Sequence, residues 1–265
     1  MVNKQIIISG DLHGVWGPLN SLINKKGPEI ILQCGDFGWW PGLNKSPYIW
    51  SGEYEDISEE IVGDPWQRMM ARRVPKAWDQ FGLRNKDAKI YWCDGNHEDH
   101  WDLIRERNQF KAPCEMMPNV YYMKRGSTLQ LPDGRNVLFI GGADSIDKAA
   151  RTIGIDWYPE ELISYRDIDN LPDSKIDIVV SHTCPAEFHD GVIKGFWEDK
   201  QVYIDKIKDP SAHALSCVLE KYKPSLWYFA HFHTFVIGKY ENTKWFCLNT
   251  IGQQNWWVYL EENNG

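Results

Sequence analysis

The stretch Ile90–Asp99, IYWCDGNHED, begins as a short apolar run and breaks at Gly95 into four consecutive polar residues. An apolar run of this length that ends in Gly is typical of a strand buried on both faces of a sheet. Such a strand carries an Asn, a His and two carboxylates to one point at its end. Both the fold and the site can be predicted from this pattern.

Similar apolar runs recur along the chain and alternate with helical patterns, which is the layout of an α/β fold. One stripe of apolar residues at helical spacing ends at Gly27, and a second begins after Asp209-Pro210, so a helix is predicted at each place. The last two strands, Lys244–Asn249 and Asn255–Leu260, are predicted to close a hairpin. The other predicted strands are Gln5–Ser9, Glu29–Cys34, Lys89–Cys93, Asn136–Ile140, Asp177–Ser181 and Ser225–Ala230.

No change in composition marks a domain boundary, so the 265 residues are predicted to form one domain, 1–265. Between about 37 and 75 the periodic pattern gives way to Gly, Pro, Trp and acidic residues. We interpret 37–75 as an excursion at the rim of this domain rather than as a second domain.

The composition indicates an acidic chain. A net charge of −8 and a pI near 5.5 argue against a protein that binds nucleic acid mainly by electrostatics. The six cysteines form no CxxC pair, so they are interpreted as buried thiols in a reducing compartment. No apolar run approaches about 18 residues, and the run near the N-terminus is too short for a signal peptide. We therefore expect a cytoplasmic protein with no membrane contact and no obligate protein partner.

Polar side chains of the types that bind metals follow five of the predicted strands. In an open α/β sheet the carboxyl ends of the strands border the crevice in which ligands bind, so these side chains are expected to converge. In the Asp-x-His and His-x-His pairs, strand alternation would turn both side chains to one side. The candidate metal ligands are Asp11, His13, Asp36, Asn96, His182, His231 and His233.

The chemistry of this set favours a site for two metal ions. Nitrogen and oxygen donors without a thiolate suit Mn, Fe, Zn or Mg rather than a cysteine-rich structural zinc. The set is too large for one closed zinc site, but it suits two cations about 3.5 to 4 Å apart if one carboxylate bridges them. Asp36 is the candidate bridge. Two divalent cations and two aspartates leave a net charge of about +2, which can bind a hydroxide and a phosphate ester together.

Five ordered blocks, spanning residues 10 to 233, resemble those of the calcineurin-like metallophosphoesterases. The blocks are Gly10-Asp11-Leu12-His13-Gly14, Gly35-Asp36, Gly95-Asn96-His97-Glu98, Ser181-His182 and His231-Phe232-His233. Their order makes the signal specific where one block alone would be weak. The resemblance implies an α/β fold, a four-layer αββα sandwich with the metals at the carboxyl ends of the strands.

The same resemblance implies a role for each of these residues. Asp36 would serve both metals and count as catalytic, and His97 would contact the phosphate or act as general acid for the leaving oxygen. Asn96 would lie next to the substrate together with His97. One metal would be held by Asp11, His13, Asp36 and His233, and the other by Asp36, Asn96, His182 and His231. Manganese is the expected ion, with Fe, Zn and Mg as alternatives.

The chain departs from the pattern of the protein Ser/Thr phosphatases of this family. After Asp36 it continues Phe37-Gly38-Trp39-Trp40 instead of Asp-Arg-Gly, which argues against a protein phosphatase and leaves His97 without its usual partner. Arg151, in a Gly-rich region, is the candidate that clamps the phosphate. Trp39 and Trp40 are either core residues or a platform on which a base or an aromatic leaving group stacks.

The second half of the chain is similar to the RNA lariat debranching enzymes, which are phosphodiesterases of the same superfamily. The likeness lies in Gly141-Gly142-Ala143-Asp144-Ser145, Tyr165-Arg166-Asp167, Ser181-His182-Thr183-Cys184-Pro185 and Ala230-His231-Phe232-His233. Those enzymes typically carry Cys where this chain has Asp11. We carry over the suggestion of a phosphodiester substrate and nothing more.

The sequence thus predicts metal-dependent hydrolysis of a phosphate ester, in which a hydroxide that bridges two cations attacks phosphorus in line. A phosphodiester is slightly favoured, and the substrate is expected to be a nucleotide or short nucleic acid. Two alternatives stay open: a phosphomonoesterase for a small metabolite or nucleotide, and a metal-binding scaffold without activity.

Overall fold

The computed structural model describes residues 2–40, 88–103, 112–195 and 208–262, with the backbone alone for residues 2–4. In these residues the chain forms two six-stranded sheets, here called the first and second sheets. The first sheet contains β1 (Val2–Ser9), β2 (Ile30–Gln33), β3 (Lys89–Trp92), β4 (Cys114–Met117), β5 (Val120–Tyr122) and β12 (Trp257–Glu261). The second contains β6 (Ser127–Gln130), β7 (Asn136–Ile140), β8 (Ile178–Ser181), β9 (Leu226–Phe229), β10 (Val236–Tyr240) and β11 (Thr243–Cys247).

The two sheets have the same plan, four parallel strands between two antiparallel edge strands. The order is β12-β1-β2-β3-β5-β4 in the first sheet and β10-β11-β9-β8-β7-β6 in the second. β1, β2, β3 and β5 run parallel, as do β7, β8, β9 and β11. The carboxyl ends of four strands in each sheet therefore meet at one edge of that sheet.

Alternation along the strands builds the apolar layers of the fold. Ile6 and Ile8 pack against the second sheet in one core cluster, whereas Ile7 between them packs in a cluster on the outer face of the first sheet. Val137 and Leu138 divide in the same way between the inner and outer faces of the second sheet. Strands that are buried on both faces must be apolar throughout, which explains the runs in the sequence.

Helices cover the outer faces and complete four layers, so the expected αββα sandwich is confirmed. Helix α1 (Trp16–Lys26) buries its stripe of Trp16, Leu19, Leu22 and Ile23 on the first sheet and ends before Gly27. Leu215, Val218 and Leu219 belong to the cluster on the outer face of the second sheet. The helices beside the second sheet are α2 (Tyr165–Asp169), α3 (His189–Lys194) and α4 (Ser211–Tyr222).

The six strands predicted before the C-terminal segment are present. Their bounds agree to within one residue at each end, except that β1 begins three residues before Gln5. Four strands were not predicted, namely β4, β5, β6 and β10. β4, β6 and β10 are edge strands, and β6, STLQ, is partly exposed along its length, so it carries no apolar run.

The predicted C-terminal hairpin is wrong. β11 pairs with β9 and β10 in the second sheet, whereas β12 pairs with β1 in the first. The connection between β11 and β12 crosses from one sheet to the other at the carboxyl end of β1. There the N–H of Gly10 donates to the carbonyl of Trp256 at 2.8 Å, and the N–H of Ile251 donates to the carbonyl of Asp11 at 2.8 Å. Strand alternation predicts which face a side chain occupies, but not which strand its backbone pairs with.

The cysteines are free thiols, and five of the six are buried as predicted. Cys217 is the exposed one. Cys34 and Cys93 lie between the two sheets, where burial raises the pKa of both thiols well above the usual range.

Two further expectations are only partly covered by the structure. Of the predicted rim excursion, residues 41–75 lie outside the described residues, and 37–40 form an irregular buried segment. Among the helices of the described ranges, none combines the length and apolar character needed to span a membrane.

Candidate metal centre

The structure brings together all seven predicted metal ligands at the carboxyl ends of five strands. Asp11 and His13 follow β1, and Asp36 follows β2. Asn96 follows β3 in the first sheet, whereas the remaining ligands come from the second sheet. These are His182 after β8 and His231 and His233 after β9. The site is therefore built across the edge of both sheets, which explains why its ligands are far apart in sequence.

Four of these residues form the first cluster: Asp11, His13, Asp36 and His233. One ligand atom from each lies within 4.8 Å of all the others. His233 Nε2 is 3.1 Å from Asp11 Oδ2 and 3.2 Å from His13 Nε2. His13 Nε2 is 3.7 Å from Asp36 Oδ2. Two carboxylates and two imidazoles in this arrangement could hold a divalent cation.

The second cluster gathers around His182 Nε2. This atom lies 3.0 Å from Asn96 Oδ1, 3.3 Å from Asp36 Oδ1 and 3.2 Å from His231 Nδ1. The other ring nitrogen, Nδ1, is 2.8 Å from the carbonyl oxygen of Cys34. Because a carbonyl only accepts, Nδ1 carries the proton and Nε2 of a neutral ring presents its lone pair to the cluster.

The carboxylate of Asp36 lies between the two clusters. Its Oδ2 faces His13 in the first cluster, and its Oδ1 faces His182 in the second. Oδ1 also accepts a hydrogen bond from His97 N–H at 2.9 Å. Burial acts to raise the pKa of this carboxyl, but the neighbouring histidines outweigh burial and hold it well below its usual range. A bridging ligand needs this placement of its two oxygens.

The charges of the site fit divalent cations. Burial lowers the pKa of His13 to about 4, so its ring is neutral and can act as a ligand. Burial also acts to lower the pKa of His182, but Asp36 and Asp11 outweigh it and raise that pKa to about 9. The buried carboxylates thus favour a positive charge at the centre of the site, either as a proton on His182 or as a bound cation. A metal cation supplies this charge and leaves the histidine neutral, so the donor set fits metal ions.

Four of the candidate ligands adopt an unusual backbone conformation. His13, Asp36, His231 and His233 all have φ between 45° and 65°. Residues other than Gly seldom adopt this left-handed region, which costs of order 1–3 kcal/mol when the structure enforces it. The candidate ligands lie beyond the ends of their strands. The direction of their side chains is therefore set by these turns and not by the strand alternation that the sequence suggested. The intervening Leu12 and Phe232 are fully buried.

Two glycines allow the ligand loops to approach each other. Gly35 has a φ of 83°, and a Cβ added there would lie 2.6 Å from the side chain of His182. A Cβ added at Gly95 would overlap the carboxylate of Asp36. Any larger residue at either position would therefore displace a ligand.

Glu98, which was not predicted as a functional residue, holds the loop that carries Asp36. Its fully buried carboxylate accepts from the backbone N–H groups of Phe37 at 2.8 Å, Gly38 at 3.0 Å and Trp39 at 2.6 Å. Burial raises the pKa of Glu98 well above its usual range. Its position in the Gly-Asn-His-Glu block was the available sequence signal, but its partners are 59 to 61 residues away along the chain.

Asp94 and Arg125 form a buried ion pair next to the loop that carries Asn96. The Arg125 guanidinium donates to Asp94 Oδ2 from Nε at 2.9 Å and from Nη2 at 2.6 Å. The hydroxyl of Tyr122 donates to the other oxygen of Asp94 at 3.0 Å. This buried ion pair has its hydrogen bonds satisfied, and it lies next to Gly95 and Asn96 in the chain.

Arg151, the candidate phosphate-binding residue, lies beside His97. Its Nη2 is 3.3 Å from His97 Nε2, and its side chain is only 3% exposed. Asp147 holds it with a contact of 2.8 Å, and the carbonyl of Asp156 accepts from it at 3.3 Å. A guanidinium only donates, so His97 accepts at Nε2 and carries its proton on Nδ1. Burial, and next the charge of Arg151, lower the pKa of His97 well below its usual range.

Trp39 and Trp40 are packed in the core. They are 8% and 2% exposed and belong to the apolar cluster on the outer face of the first sheet. Trp39 donates from Nε1 to Asp102 at 2.8 Å, and Trp40 lies against Tyr158. A platform for stacking needs an open ring face. The proposed stacking on a base is therefore not supported by their placement.

Replacing Glu98 with Ala should destabilise the protein, because three buried N–H groups lose their acceptor. We expect Glu98→Ala to lower the free energy of unfolding by at least about 3 kcal/mol, since each of the three unsatisfied groups costs about 1–3 kcal/mol. Urea denaturation of the metal-free protein measures this change. Glu220→Ala, on the exposed side of α4, is the control and should change stability by less than about 0.5 kcal/mol. Equal stability of the two variants would contradict the role given to Glu98.

Comparisons with known proteins agree with this fold. One solved crystal structure is 11% identical with a TM-score of 0.50, covering 92% of this chain and 90% of that chain. GAP50, the anchor in the inner membrane complex of Plasmodium, is 11% identical with a TM-score of 0.44 over 91% of this chain and 70% of its own. Phosphopantetheinyl hydrolase (PptH) from Mycobacterium tuberculosis is 10% identical with a TM-score of 0.48 over 98% and 96%. The first likeness shows the fold alone.

A search of curated protein sequences finds no match. The family model of the calcineurin-like phosphoesterases, however, matches residues 4–235, which include every candidate ligand. The chain therefore belongs to the calcineurin-like phosphoesterase family, whose members are metal-dependent hydrolases of phosphate esters.

Proposed function

We propose that this chain hydrolyses a phosphate ester with two divalent cations, manganese being the first candidate, and that a phosphodiester is the preferred substrate. The observation that carries the proposal is the placement of Asp36, with one carboxylate oxygen toward each ligand cluster. A site for one cation would not need a buried carboxylate shared between two groups of ligands.

The assignment of ligands follows from the two clusters. Asp36 would belong to both, and Asn96 would contribute a neutral oxygen, which avoids a third negative charge. The first cation would be held by Asp11, His13, Asp36 and His233, and the second by Asp36, Asn96, His182 and His231. When bound, the two cations would lower the pKa of a water nucleophile and offset the charge of the phosphoryl oxygens.

His97 and Arg151 would bind the substrate next to the clusters. The backbone of His97 is fixed by its hydrogen bond to Asp36, and its ring by the guanidinium of Arg151. A ring held in this way can donate a hydrogen bond to the phosphate or to the leaving oxygen, which typically contributes 10² to 10⁴ in rate. Arg151 would add a fixed positive charge next to the bound phosphate.

The preference for a diester rests on the likeness to the lariat debranching enzymes, and the natural substrate is expected to be a nucleotide or a short nucleic acid. The net charge of −8 weighs against long nucleic acids, because repulsion from a polyanion grows with its length. A metal-binding scaffold without activity is the alternative class. The presence of all seven donors in two compact clusters weighs against a decayed site.

Two substitutions should separate metal binding from the chemical step. Asp36→Asn is expected to abolish activity and to reduce bound metal together, because both cations lose a shared ligand. His97→Ala is expected to keep both metals and to lose about 10² or more in kcat, because a group that acts only on the substrate is removed. Metal content measured by inductively coupled plasma mass spectrometry and steady-state kinetics give the two readouts.

His213→Ala, on the exposed surface of α4, is the matched control and should leave both readouts unchanged. Full metal content in Asp36→Asn would contradict the bridge, and loss of metal in His97→Ala would contradict the substrate role.

A comparison of two generic substrates should decide between diester and monoester. The metal-stripped protein, reloaded with Mn²⁺, is expected to hydrolyse bis-p-nitrophenyl phosphate with a higher kcat/KM than p-nitrophenyl phosphate. The opposite preference would overturn the diester proposal and favour a small phosphorylated metabolite. If neither ester is hydrolysed with Mn, Fe, Zn or Mg, the scaffold alternative gains support. Asp36→Asn serves as the blank for contaminating phosphatases.

A further inference from the structure

We propose that Glu161 acts through Ser145 as a positioning residue, which fixes the side-chain amide of Asn96 with its oxygen toward the second cluster. The inference rests on the proposed function, since it takes Asn96 to be a metal ligand. Neither Glu161 nor Ser145 was predicted to take part in the site.

A short chain of buried hydrogen bonds connects the three residues. Asn96 Nδ2 donates to Ser145 Oγ at 3.1 Å, and Ser145 Oγ donates to Glu161 Oε2 at 2.8 Å. The other carboxylate oxygen of Glu161 accepts from Ser145 N–H at 2.6 Å and from Trp157 Nε1 at 2.9 Å. Asn96, Ser145 and Glu161 are 5%, 1% and 0% exposed, so water has little access to replace any of these contacts.

The polarity of these hydrogen bonds decides which way the amide points. An ionised carboxylate only accepts, so the single hydroxyl proton of Ser145 is donated to Glu161. The lone pairs of Ser145 are then left to accept, and they accept from the NH₂ group of Asn96. The amide oxygen must therefore face away from Ser145, toward His182 Nε2 at 3.0 Å. An amide is nearly symmetric in shape, so packing alone would not select this orientation.

The position of Glu161 is itself fixed. Arg125, which is bound to Asp94, also holds the backbone around Glu161. Its Nη2 donates to the carbonyls of Glu160 at 3.0 Å and Glu161 at 2.9 Å. Its Nη1 donates to the carbonyl of Leu162 at 2.6 Å. The backbone that carries the carboxylate of Glu161 is therefore held in place. A carboxylate in a fixed position can accept the proton of the Ser145 hydroxyl and so set the direction of that hydrogen bond.

Ser145 also contacts the predicted phosphate-binding residue. Arg151 Nη1 lies 3.4 Å from Ser145 Oγ, while Nη2 of the same guanidinium contacts His97. Both neighbours of the hydroxyl, the amide of Asn96 and the guanidinium of Arg151, approach it as donors. This arrangement is consistent with a hydroxyl whose own proton points to Glu161.

The test is the isosteric variant Glu161→Gln, which reverses the polarity of this chain. The new NH₂ group would donate to Ser145 Oγ, so the hydroxyl would donate to Asn96 and favour the flipped amide. We expect Mn²⁺ binding at one of the two sites to weaken about 10- to 100-fold, the usual effect of losing a partner that orients a ligand. Isothermal titration calorimetry of metal-free protein measures this affinity without any substrate. Titrations are run at about pH 8.5, where a carboxyl whose pKa burial raises to about 7 is ionised.

Glu187→Gln is the matched control. Glu187 also accepts from a serine hydroxyl, that of Ser216 in α4 at 2.7 Å, but this pair lies at the surface. The same chemical change there should leave both Mn²⁺ affinities unaltered. The control separates an effect on Asn96 from a general effect of removing one negative charge.

A double substitution distinguishes positioning from a structural role. In Glu161→Gln combined with Asn96→Asp, both terminal atoms of the side chain at position 96 are oxygens. One oxygen therefore faces the cation whichever way the hydrogen bond between Ser145 and position 96 runs. The added negative charge of Asn96→Asp strengthens Mn²⁺ binding in any background, so its effect is also measured in the natural sequence. Positioning predicts a larger gain in Mn²⁺ affinity in the Glu161→Gln background, whereas a merely structural loss predicts the same gain in both.

The outcomes separate this inference from the proposed function. If the natural sequence binds two Mn²⁺ and Glu161→Gln binds them equally well, the inference is overturned and the proposed function stands. If the natural sequence binds fewer than two, the proposed function fails and the inference with it. Should Glu161→Gln not fold, Ser145→Ala replaces it, and unchanged Mn²⁺ affinities in that variant would overturn the inference.

Discussion

The whole site depends on keeping the carboxylate of Asp36 buried between two groups of ligands. A buried charge is costly unless it is paired and hydrogen-bonded. The chain meets this requirement with His182 and His13 on either side of the carboxylate and the N–H of His97 on one of its oxygens. Glu98 in turn satisfies the loop that follows Asp36. These contacts come from the ends of β1, β3 and β8, so the site is complete only when both sheets have assembled.

The left-handed turns after the strands show what this arrangement costs. Four ligand residues adopt positive φ, and each such residue lowers stability by of order 1–3 kcal/mol in the absence of compensation. Backbone hydrogen bonds between the loops compensate: the N–H groups of Leu12 and His13 both donate to the carbonyl of Asp36, at 3.0 and 2.8 Å. The apolar layers on both faces of the sheets supply the stability that a strained polar edge requires.

The sequence predicts the parts of this protein that are local. Apolar runs that end in Gly or in small and polar residues predicted the central strands except β5, and the polar residues after them predicted the residues of the two clusters. Features that depend on distant residues were not predicted correctly. The role of Trp39, in the core or in stacking, stayed undecided because its burial depends on distant residues, and β12 was paired with the wrong strand. The link from Asn96 through Ser145 to Glu161 joins residues 49 and 16 positions apart. No local pattern encodes such a contact, because it follows from the docking of one loop on another.

The most direct test of the central claim is anomalous X-ray diffraction from crystals of the Mn²⁺-loaded protein. Two anomalous peaks about 3.5 to 4 Å apart, one on each side of the Asp36 carboxylate, are predicted. A single peak at saturating Mn²⁺, or two peaks that do not share Asp36 as a ligand, would contradict the account.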